Sequence, residues 1–358
     1  MKDSIFIWKR YLPGRYPLTG MGIVLLFLLS AMPCMGQAWE PRDTLLFMFW
    51  NLENFFDYTD SGQNDSDREF SSFGGRRWTK GRFYAKCNAV AKTLLWIESE
   101  YGRIPDVAGL AEVENRLVLN SLLGSTSLRK YDYGIVHYES PDNRGIDVAL
   151  IYRKSVFRKI RSGPVPVGMG SSGNGFRTRD ILYAALELCV DGCREGREDA
   201  AVFHFLVNHH PSKFGGAKAS APKRRAAMDV MMGICDSVFA AGGSRIISMG
   251  DFNDTPDSPL FAFEGTGMVN LALPLAMAGE GTIRYRGKWD LIDMFIVSDI
   301  LSAMSGMEVC RVPFLTVWDN AFAGEKPFRT YSGPRYIGGV SDHFPVLMKI
   351  VLPMINKQ

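Results

Sequence analysis

The segment Ser244-Arg-Ile-Ile-Ser-Met-Gly-Asp-Phe-Asn-Asp254 places polar residues directly behind a short apolar run. Residues 245–249 are mostly apolar, which is typical of a strand that is buried on both faces. Gly250 permits a sharp turn, and Asp251 and Asn253 follow at once. Active sites of α/β proteins are built at such strand ends. The plain alternative is a turn, because Asp and Asn also favour turns.

Five further predicted strands carry polar residues at one end. Residues 45–50 and 105–111 are typical of core strands, and polar side chains follow each of them directly. Because a lone carboxylate is costly to bury, Glu112 either binds a cation or caps a helix that we predict to begin near Asn115. Carboxylate oxygens suit Mg²⁺ or Mn²⁺. The polar residues at these five strand ends are Asn51, Glu53, Glu112, His209, Asp293, Asp342 and His343.

Apolar spacing and turn composition predict the remaining elements. Strand pairs are expected at 133–137 with 146–153 and at 183–190 with 201–207. Helices are expected over 83–100 and 226–239, and loops over 57–77, 163–178 and 213–223. Lys86 and Lys92 lie mostly outside the apolar face of the first helix, and we assign them no special role. No internal repeat or linker interrupts residues 40–353, which we expect to form one large domain.

The first 36 residues have a composition of their own. Four basic residues precede an apolar run at 23–29, and small residues follow it. This order predicts a secretory signal peptide that is cleaved after Gly36, since a membrane span needs ~20 apolar residues. We therefore expect a periplasmic or secreted protein, without stable membrane insertion. Lipid anchoring at Cys34 is the alternative, although Pro33 makes a poor processing site.

The predicted mature chain carries no net charge. The full sequence has 41 basic and 38 acidic residues, and removing four basic and one acidic residue with the signal leaves 37 of each. Tight non-specific binding of nucleic acid relies on many Lys and Arg contacts to phosphate. The charge balance gives such binding no support, but it does not exclude a locally basic groove.

Five cysteines remain after Cys34, and export permits disulfides. Cys189 and Cys193 are spaced to close a small loop at the tip of a hairpin, and the odd total leaves at least one thiol free. No second pair of Cys or His follows at the spacing of zinc ligands. The cysteines therefore indicate a disulfide and no zinc site.

The polar strand ends together supply what phosphoester hydrolysis requires. A divalent cation held by carboxylates takes up charge on the phosphoryl oxygens, and a base and a proton donor serve the water and the leaving oxygen. An imidazole beside a carboxylate is held in one orientation, and its charged form is favoured. Asp293 is the candidate partner of His343.

These residues give the sequence a resemblance to a known family over nearly the whole mature chain. It resembles the endonuclease/exonuclease/phosphatase superfamily, which includes deoxyribonuclease I, AP endonucleases, inositol-polyphosphate 5-phosphatases and bacterial sphingomyelinases. The resemblance implies a four-layer α/β fold, a two-sheet β-sandwich flanked by helices, over residues 37–358. The segments that carry it, in the family's order, are Trp50-Asn-Leu-Glu-Asn54, Ala111-Glu112, Asn208-His209, Gly250-Asp-Phe-Asn253, Ile292-Asp293 and Ser341-Asp-His-Phe-Pro345.

For the cation, the resemblance implies that Glu112 is the main ligand of Mg²⁺ or Mn²⁺. Asn51, Glu53 and Asp342 are expected near the same cation. Glu53 stands where some branches of the family carry Asp, which leaves its direct contact with the metal open.

For catalysis, the resemblance implies that Asp251 positions or deprotonates the attacking water and that Asn253 holds a phosphoryl oxygen. His343, oriented by Asp293, is expected to contact the phosphate. His209 resembles the second histidine of the deoxyribonuclease and phosphatase branches, although the neighbouring imidazole at position 210 is open as an alternative.

Two further segments look like those of a bacterial, secreted branch. They are Arg144-Gly-Ile-Asp147 and Arg329-Thr-Tyr331. We expect Arg144, Arg329 and Tyr331 to contact the substrate, because arginine pairs well with phosphate. The alternative for both arginines is a surface ion pair in a loop.

The leading hypothesis is an exported, Mg²⁺-dependent phosphodiesterase, an endonuclease acting as a monomer on nucleic acid. A phosphatase or sphingomyelinase-type phospholipase is the alternative within the family. The neutral mature charge favours a small or lipid substrate over duplex DNA, and the absence of an apolar docking hairpin in the sequence disfavours lipid. A catalytically inactive binding module is the alternative from a different class, and the intact set of carboxylates and histidines speaks against it.

Overall fold

Two β-sheets packed face to face form the centre of the computed structural model, which describes residues 44–168, 176–189 and 201–352. The predicted signal peptide at 1–36, part of the predicted loop at 163–178 and Cys193 lie outside these residues. In chain order the strands are β1 (Thr44–Phe55), β2 (Val107–Val113), β3 (Tyr133–His137), β4 (Asp147–Arg153), β5 (Phe157–Val165), β6 (Ile181–Leu188), β7 (Val202–His209), β8 (Ile246–Asp251), β9 (Met268–Asn270), β10 (Ile283–Tyr285), β11 (Lys288–Asp290), β12 (Asp293–Ser298), β13 (Ser305–Val309), β14 (Thr316–Trp318), β15 (Glu325–Pro327), β16 (Tyr331–Ser332), β17 (Arg335–Tyr336) and β18 (Val346–Val351). The α-helices are α1 (Asp65–Glu69), α2 (Lys80–Tyr101), α3 (Arg116–Gly124), α4 (Ala217–Ala240), α5 (Leu273–Met277) and α6 (Asp299–Ser302). Short 3₁₀ helices lie at Ser127–Tyr131, Pro259–Phe261 and Pro313–Leu315.

Each of the two sheets has six strands within the described residues. The first has the order β13-β18-β1-β2-β4-β3, and the second has the order β5-β6-β7-β8-β12-β9. Pairs β1–β2 and β7–β8 are parallel, and the other pairs in the two sheets are antiparallel. Parallel neighbours require a crossover, and the chain makes these crossovers through α1 and α2 and through α4. Each sheet therefore has a parallel pair of strands that end at the same edge.

Side-chain alternation along the strands explains the layers. In β1, Phe47 and Phe49 point into the core between the sheets, while Leu46 and Met48 point to the helices on the other face. Successive side chains of a strand face opposite sides of its sheet, so the run 45–50 had to be apolar throughout. Helices α2 and α3 cover the first sheet and α4 covers the second. This arrangement confirms the predicted four-layer α/β sandwich.

Helix α2 begins and ends at clear sequence signals. The Thr79 side chain accepts a hydrogen bond from the Arg82 N–H at the N-cap, and Gly102 ends the helix with φ +69°. A left-handed residue after a helix is usually glycine because a Cβ atom is unfavourable there. The prediction of a helix over 83–100 is confirmed, with three more residues at its start.

Two predicted loops are partly helical. Residues 57–77 contain α1, in which Asp67 is buried, and the C-cap residue Phe70 is buried as well. Residues 213–223 contain the first turns of α4, despite Pro222 inside the helix. The buried Arg224 stabilises these turns, since it donates to the Ala217 carbonyl and to the Ser220 hydroxyl. Polar composition concealed both segments, because their stabilising contacts are made by charged side chains.

Strand β5 was not predicted from the sequence. It is an edge strand that pairs only with β6 among the described residues, and its residues 158–161 are exposed. An exposed edge strand shows little apolar alternation, which is why pattern analysis misses it.

The cysteines agree in part with the sequence-based expectation. Cys87, Cys235 and Cys310 are buried free thiols, and Cys189 is disulfide-bonded. Its expected partner, Cys193, falls outside the described residues, so that pairing stays a prediction. No helix within the described ranges has the length and apolarity needed to cross a bilayer.

Candidate active site

Three adjacent strands of the second sheet bring three predicted site residues into one row. Parallel β7 and β8 pair His209 with Asp251, and antiparallel β8 and β12 pair Asp251 with Asp293. Directly paired residues on neighbouring strands point to the same face of a sheet. All three are buried, at 5%, 2% and 0% exposure. Residues scattered over 85 positions of the sequence thus form a continuous polar row at the edge of an apolar core.

His343 reaches this row from the segment that precedes β18. Its Nδ1 lies 2.8 Å from Asp293 Oδ2, and its Nε2 lies 3.9 Å from Asp251 Oδ2. The backbone N–H of His343 donates to the Ser341 hydroxyl at 3.0 Å, and the Trp50 indole donates to the His343 carbonyl at 2.9 Å. Backbone and ring of His343 are therefore both held in place, and the predicted Asp293–His343 pairing is present.

The two sheets meet at Asn51. Its Nδ2 donates to Asp251 Oδ2 at 3.0 Å, and its Oδ1 accepts from the Glu53 N–H at 2.9 Å. Burial, followed by the neighbouring Asp293 carboxylate, raises the pKa of Asp251 to about 7. Burial opposes a charged imidazole, but Asp293 and then Asp251 outweigh it and raise the pKa of His343 well above its usual value. The row therefore holds a carboxyl near its midpoint at neutral pH and an imidazolium beside it.

Glu112 lies on a bulge of β2. The β2–β4 register shifts between Ala111 and Val113, and Glu112 has φ +60°. Its Oε2 accepts from the Asn54 N–H at 2.7 Å. Its Oε1 lies 3.5 Å from Arg144 Nη1 and 4.0 Å from His209 Nε2. One carboxylate oxygen is thus held by the backbone, while the other has only long contacts to cationic or imidazole nitrogens.

His209 and His210 lie on opposite sides of their sheet. His209 Nε2 is 3.6 Å from Asp251 Oδ2, so this ring belongs to the polar row. The ring of His210 instead packs edge-on against Phe252, with centroids 4.9 Å apart, and neither ring nitrogen has a hydrogen-bond partner. Burial, with Arg179 adding positive charge, lowers the pKa of His209 well below its usual value. Of the two histidines, His209 is the one that faces the carboxylates.

Glu53 is enclosed by protein donors. Its Oε1 accepts from Arg329 at 3.1 and 3.2 Å, and its Oε2 accepts from the Thr330 N–H at 2.7 Å. Lys86 Nζ donates to the Glu53 carbonyl and to the Thr330 hydroxyl. Burial and then Asp342 raise the pKa of Glu53 to about 7, against the effect of Lys86 and Arg329. Both carboxylate oxygens of Glu53 already accept hydrogen bonds from the protein, so Glu53 stabilises the residues around the site.

Asp342 and Arg329 lie at the more exposed side of the site. Arg329 Nη2 bridges Asp342 Oδ2 and Glu53 Oε1, at 3.1 Å each. Asp342 Oδ1 lies 3.9 Å from His343 Nε2. The side chains of Arg329 and Asp342 are 48% and 38% exposed. Arg329 therefore makes the ion pairs that were the alternative to a phosphate contact, but it makes them within the site.

Asn253 and Arg144 also reach the cluster. Asn253 has φ +51°, its N–H donates to Asp251 Oδ1 at 2.9 Å, and its Nδ2 donates to the His210 carbonyl at 3.0 Å. Arg144 contacts Glu112 and the Asn54 side chain. A non-glycine residue with positive φ is strained and is often found at functional sites. Here Glu53, Asn54, Glu112 and Asn253 share that conformation.

Tyr331 does not join the site. Its side chain is 5% exposed and packs among Phe70, Trp78 and Tyr336, and its hydroxyl donates to the Arg76 carbonyl. The expectation of a substrate contact is therefore not supported by its position. Tyr331 belongs to the apolar core of the loop that carries Arg329.

Sequence reasoning missed Lys86. Its place mostly outside the apolar face of α2 predicts no special role, yet it is 3% exposed, and burial lowers its pKa to about 8. A long side chain can bury its stem and carry its charge to a distant partner. Its partner, the Glu53–Thr330 pair, lies far away in sequence, so no local signal marked it.

At this site, one carboxylate or imidazole atom each of Asp251, Asp293 and His343 lie within 4.8 Å of one another. In the described part of the chain, the predicted ligands Glu112, Glu53 and Asp342 do not meet that criterion together. The pairing of His343 with Asp293 favours an imidazolium, which cannot bind a cation. Glu112 is the better donor for a metal, because it is rigidly held and has one oxygen without a short contact.

Comparisons with known proteins agree with this architecture. A family model described as "Endonuclease/Exonuclease/phosphatase family" matches residues 46–351. No curated protein matches the chain.

Similar solved structures include three that align over most of their own length. An endonuclease/exonuclease/phosphatase family protein from Bacteroides thetaiotaomicron has TM-score 0.53 and 16% identity, over 88% of this chain and 97% of that one. A mannosyl-6-phosphatase from the same organism has TM-score 0.54 and 16% identity, over 86% and 100%. The human Nocturnin catalytic domain with bound sulfate has TM-score 0.51 and 16% identity, over 87% and 94%. At these sequence identities, the similarity shows a shared fold and nothing further.

Proposed function

The chain belongs to the endonuclease/exonuclease/phosphatase family, and on that premise we propose that it is an exported phosphodiesterase that depends on a divalent metal and cleaves nucleic acid internally. The observation that carries the proposal is the convergence of His209, Asp251, Asp293 and His343 with Glu112 at one edge of the sandwich. The family is named for enzymes that hydrolyse phosphoester bonds, and these side chains are the groups such hydrolysis uses.

The oxygen donors of the site fit Mg²⁺ or Mn²⁺, which prefer carboxylate and amide ligands. Glu112 would hold the cation through its open oxygen, with Asn51 and Asp342 nearby. Glu53 would stabilise the site without contacting the cation, since its oxygens already accept hydrogen bonds from Arg329 and Thr330. When bound, the cation stabilises negative charge on the phosphoryl group.

The remaining steps belong to the chain's own residues. Asp251 is placed to accept a proton from water, because its pKa near 7 lets it act as a base at neutral pH. His343, charged through its contact with Asp293, would donate hydrogen bonds to the phosphate. His209 is kept neutral by burial and presents Nε2 between Glu112 and Asp251. Asn253 and the partly exposed Arg144 would orient the phosphoryl oxygens.

A substrate panel tests the activity. Purified residues 37–358 with Mg²⁺ or Mn²⁺ would be offered plasmid DNA, RNA, inositol phosphates, sphingomyelin and bis-p-nitrophenyl phosphate. We expect nicking of the plasmid, lost in Glu112→Ala and in His343→Ala and kept in Glu264→Ala, which changes an exposed residue.

Other outcomes of the panel have distinct meanings. Turnover of inositol phosphates alone would replace the nuclease with a phosphatase, and turnover of sphingomyelin alone would replace it with a phospholipase. No turnover and no bound metal would favour a binding module. Equal turnover in both site variants would contradict the assignment of the catalytic residues.

Export is tested separately. The full chain, expressed in a bacterial host, should appear outside the cytoplasm with a new N-terminus after Gly36. A chain that stays cytoplasmic and keeps its first 36 residues would contradict the signal peptide. A lipid-modified Cys34 would instead establish the anchored alternative.

A further inference from the structure

A second cluster of ligand-type side chains lies where β3 ends and β4 begins. It consists of His137, Glu139 and Asp147, whose ligand atoms all lie within 4.8 Å of one another. The candidate active site uses none of these residues.

The register of the hairpin explains why they meet. His137 pairs with Ala149 in the antiparallel β3–β4 ladder. Continued by two residues, this register places Glu139 opposite Asp147. Residues two apart on a strand share a face, and opposite residues on paired strands are close neighbours. His137, Glu139 and Asp147 therefore project on one side of the same ribbon.

The ring of His137 points into this cluster without a partner. Its side chain is 3% exposed, and its Nε2 has no hydrogen bond. The nearest carboxylate oxygen is Asp147 Oδ2 at 3.5 Å, which is too long for a good hydrogen bond. The other oxygen of Asp147 accepts from the backbone and hydroxyl of Ser140. Asp147 is therefore fixed, with Oδ2 left facing the imidazole.

The spacing and the charges fit a cation between these atoms. Two ligands of a tetrahedral ion with bonds of about 2.0–2.2 Å lie about 3.3–3.6 Å apart, which includes the His137–Asp147 distance. The carboxylates of Glu139 and Asp147 supply the negative charge that a cation beside this imidazole requires.

We propose that His137, Glu139 and Asp147 bind one Zn²⁺, with water as the fourth ligand. An imidazole with two carboxylates suits zinc better than Mg²⁺ or Ca²⁺, which take oxygen ligands. Spacing alone did not predict this site, because one histidine and two carboxylates across a turn match no Cys or His spacing rule. The plain alternative is an imidazole enclosed by carboxylates without any metal.

The position of the ion gives it a structural consequence. Residues 138–146 connect the two strands and carry Arg144 to Glu112. They also carry Asp142, which pairs with Arg179 at 3.0 Å. Zinc at the base of this connection would join its two ends and hold Arg144 in place.

Metal stoichiometry tests the proposal independently of any activity. Chelator-treated protein would be dialysed against Zn²⁺ and the bound metal measured. Glu112→Ala should lose metal at the candidate active site and keep one Zn²⁺ that His137→Ala then removes. Glu139→Gln should weaken that Zn²⁺ by at least tenfold, and the exposed control Glu264→Gln should not.

Co²⁺ as a probe identifies the ligands. We expect the visible absorption of a four-coordinate Co²⁺ site with a nitrogen ligand, and its loss in His137→Ala. If His137→Ala fails to fold by circular dichroism, Glu139→Gln decides, because Glu139 is exposed. Unchanged zinc binding in a folded Glu139→Gln or His137→Ala protein would overturn the site. Failure of the phosphodiesterase assays would leave this result unaffected.

Discussion

The orientation of His343 depends on the carboxylate of Asp293. The 2.8 Å contact joins Nδ1 to Oδ2, and Asp293 Oδ1 has no other partner. We expect Asp293→Asn to lower kcat by about 10²–10³-fold with a small change in KM, because His343 would lose the orientation and charge with which it donates to the phosphoryl oxygens in the transition state. Steady-state kinetics on the substrate found in the panel measures it.

Two controls separate positioning from folding in this experiment. Asp293→Glu should recover part of the lost kcat, since it restores a carboxylate. Asp290→Asn, three residues earlier and exposed, should match the wild type. A loss of kcat accompanied by an equal loss of folded protein would contradict the positioning role.

His210 should make the protein sensitive to acid. Burial and then Arg179 lower its pKa to about 3 in the folded state, against about 6.5 in an unfolded chain. Between these values the unfolded chain binds the proton and the folded chain does not, so stability falls as the pH falls below 6.5. At pH 5 this costs about 2 kcal/mol relative to pH 8.

His210→Phe tests this effect. A phenyl ring keeps the contact with Phe252 and has no nitrogen to leave unpaired. Between pH 8 and pH 5, we expect the free energy of unfolding of the wild type to fall by about 2 kcal/mol more than that of the variant. Urea unfolding at each pH measures it, with Lys92→Met as a control. Parallel pH curves for variant and wild type would contradict the prediction.

The sequence was informative about single residues wherever chemistry coincided with a strand end. Asn51, His209, Asp251, Asp293 and His343 were all found in this way, and they do lie together. Lys86 and Thr330 were missed because their roles come from a contact across 244 positions. Tyr331 lies away from the site residues although Arg329, two residues earlier, reaches them, because its ring packs among Phe70, Trp78 and Tyr336.

At the level of elements, Asn115 connects helix α3 to the segment that follows β1. Its Oδ1 accepts from the Val118 N–H at 3.0 Å as the N-cap, and its Nδ2 donates to Asp57 Oδ2 at 3.0 Å. We expect Asn115→Ala to reduce the free energy of unfolding by about 1–2 kcal/mol, as for other lost N-caps. Urea denaturation measures it.

Asn120→Ala is the matched control on the same helix. Asn120 is exposed in the helix interior, and alanine has the higher helix propensity there. We therefore expect no loss of stability. If both variants lost the same free energy of unfolding, the removal of an asparagine, and not the loss of the cap, would be the cause.

Elements were predictable to the extent that they are buried. Strands β1, β2 and β8 are almost wholly buried and were predicted, although β1 continues to Phe55, five residues past its predicted end. Strand β5 was missed because its exposed edge lacks the apolar alternation that is typical of a half-buried strand. The bulges at Asn51–Phe55 and Glu112 were also beyond prediction. They depend on how the strands pair, and pairing is a property of the assembled sheet.

At the level of the whole molecule, the residues that would hold the cation, Asn51, Glu112 and Asp342, come from widely separated parts of the chain. A ligand that binds only the folded state stabilises it by about 2.7 kcal/mol at 100 times its Kd. We expect Mg²⁺ or Mn²⁺ to raise the Tm of chelator-treated protein and to restore its activity. Glu112→Ala should lose both effects, and Glu264→Ala should keep both. Full activity in excess chelator would contradict metal dependence.

The architecture followed from the order of buried strands and from the resemblance of six short segments to a family. Neither the strand order nor the resemblance gives the distances between side chains. A sequence states that Asn51 and Asp251 both follow buried runs, but their 3.0 Å contact depends on how one sheet rests on the other.

The place of β18 in the first sheet has a consequence for biosynthesis. It lies between β13 and β1, and the segment just before it carries Asp342 and His343. A growing polypeptide therefore cannot complete the polar row until residues 342–351 have been synthesised and have inserted beside β1. The part of the chain made before them has neither His343 nor the strand that joins β13 to β1.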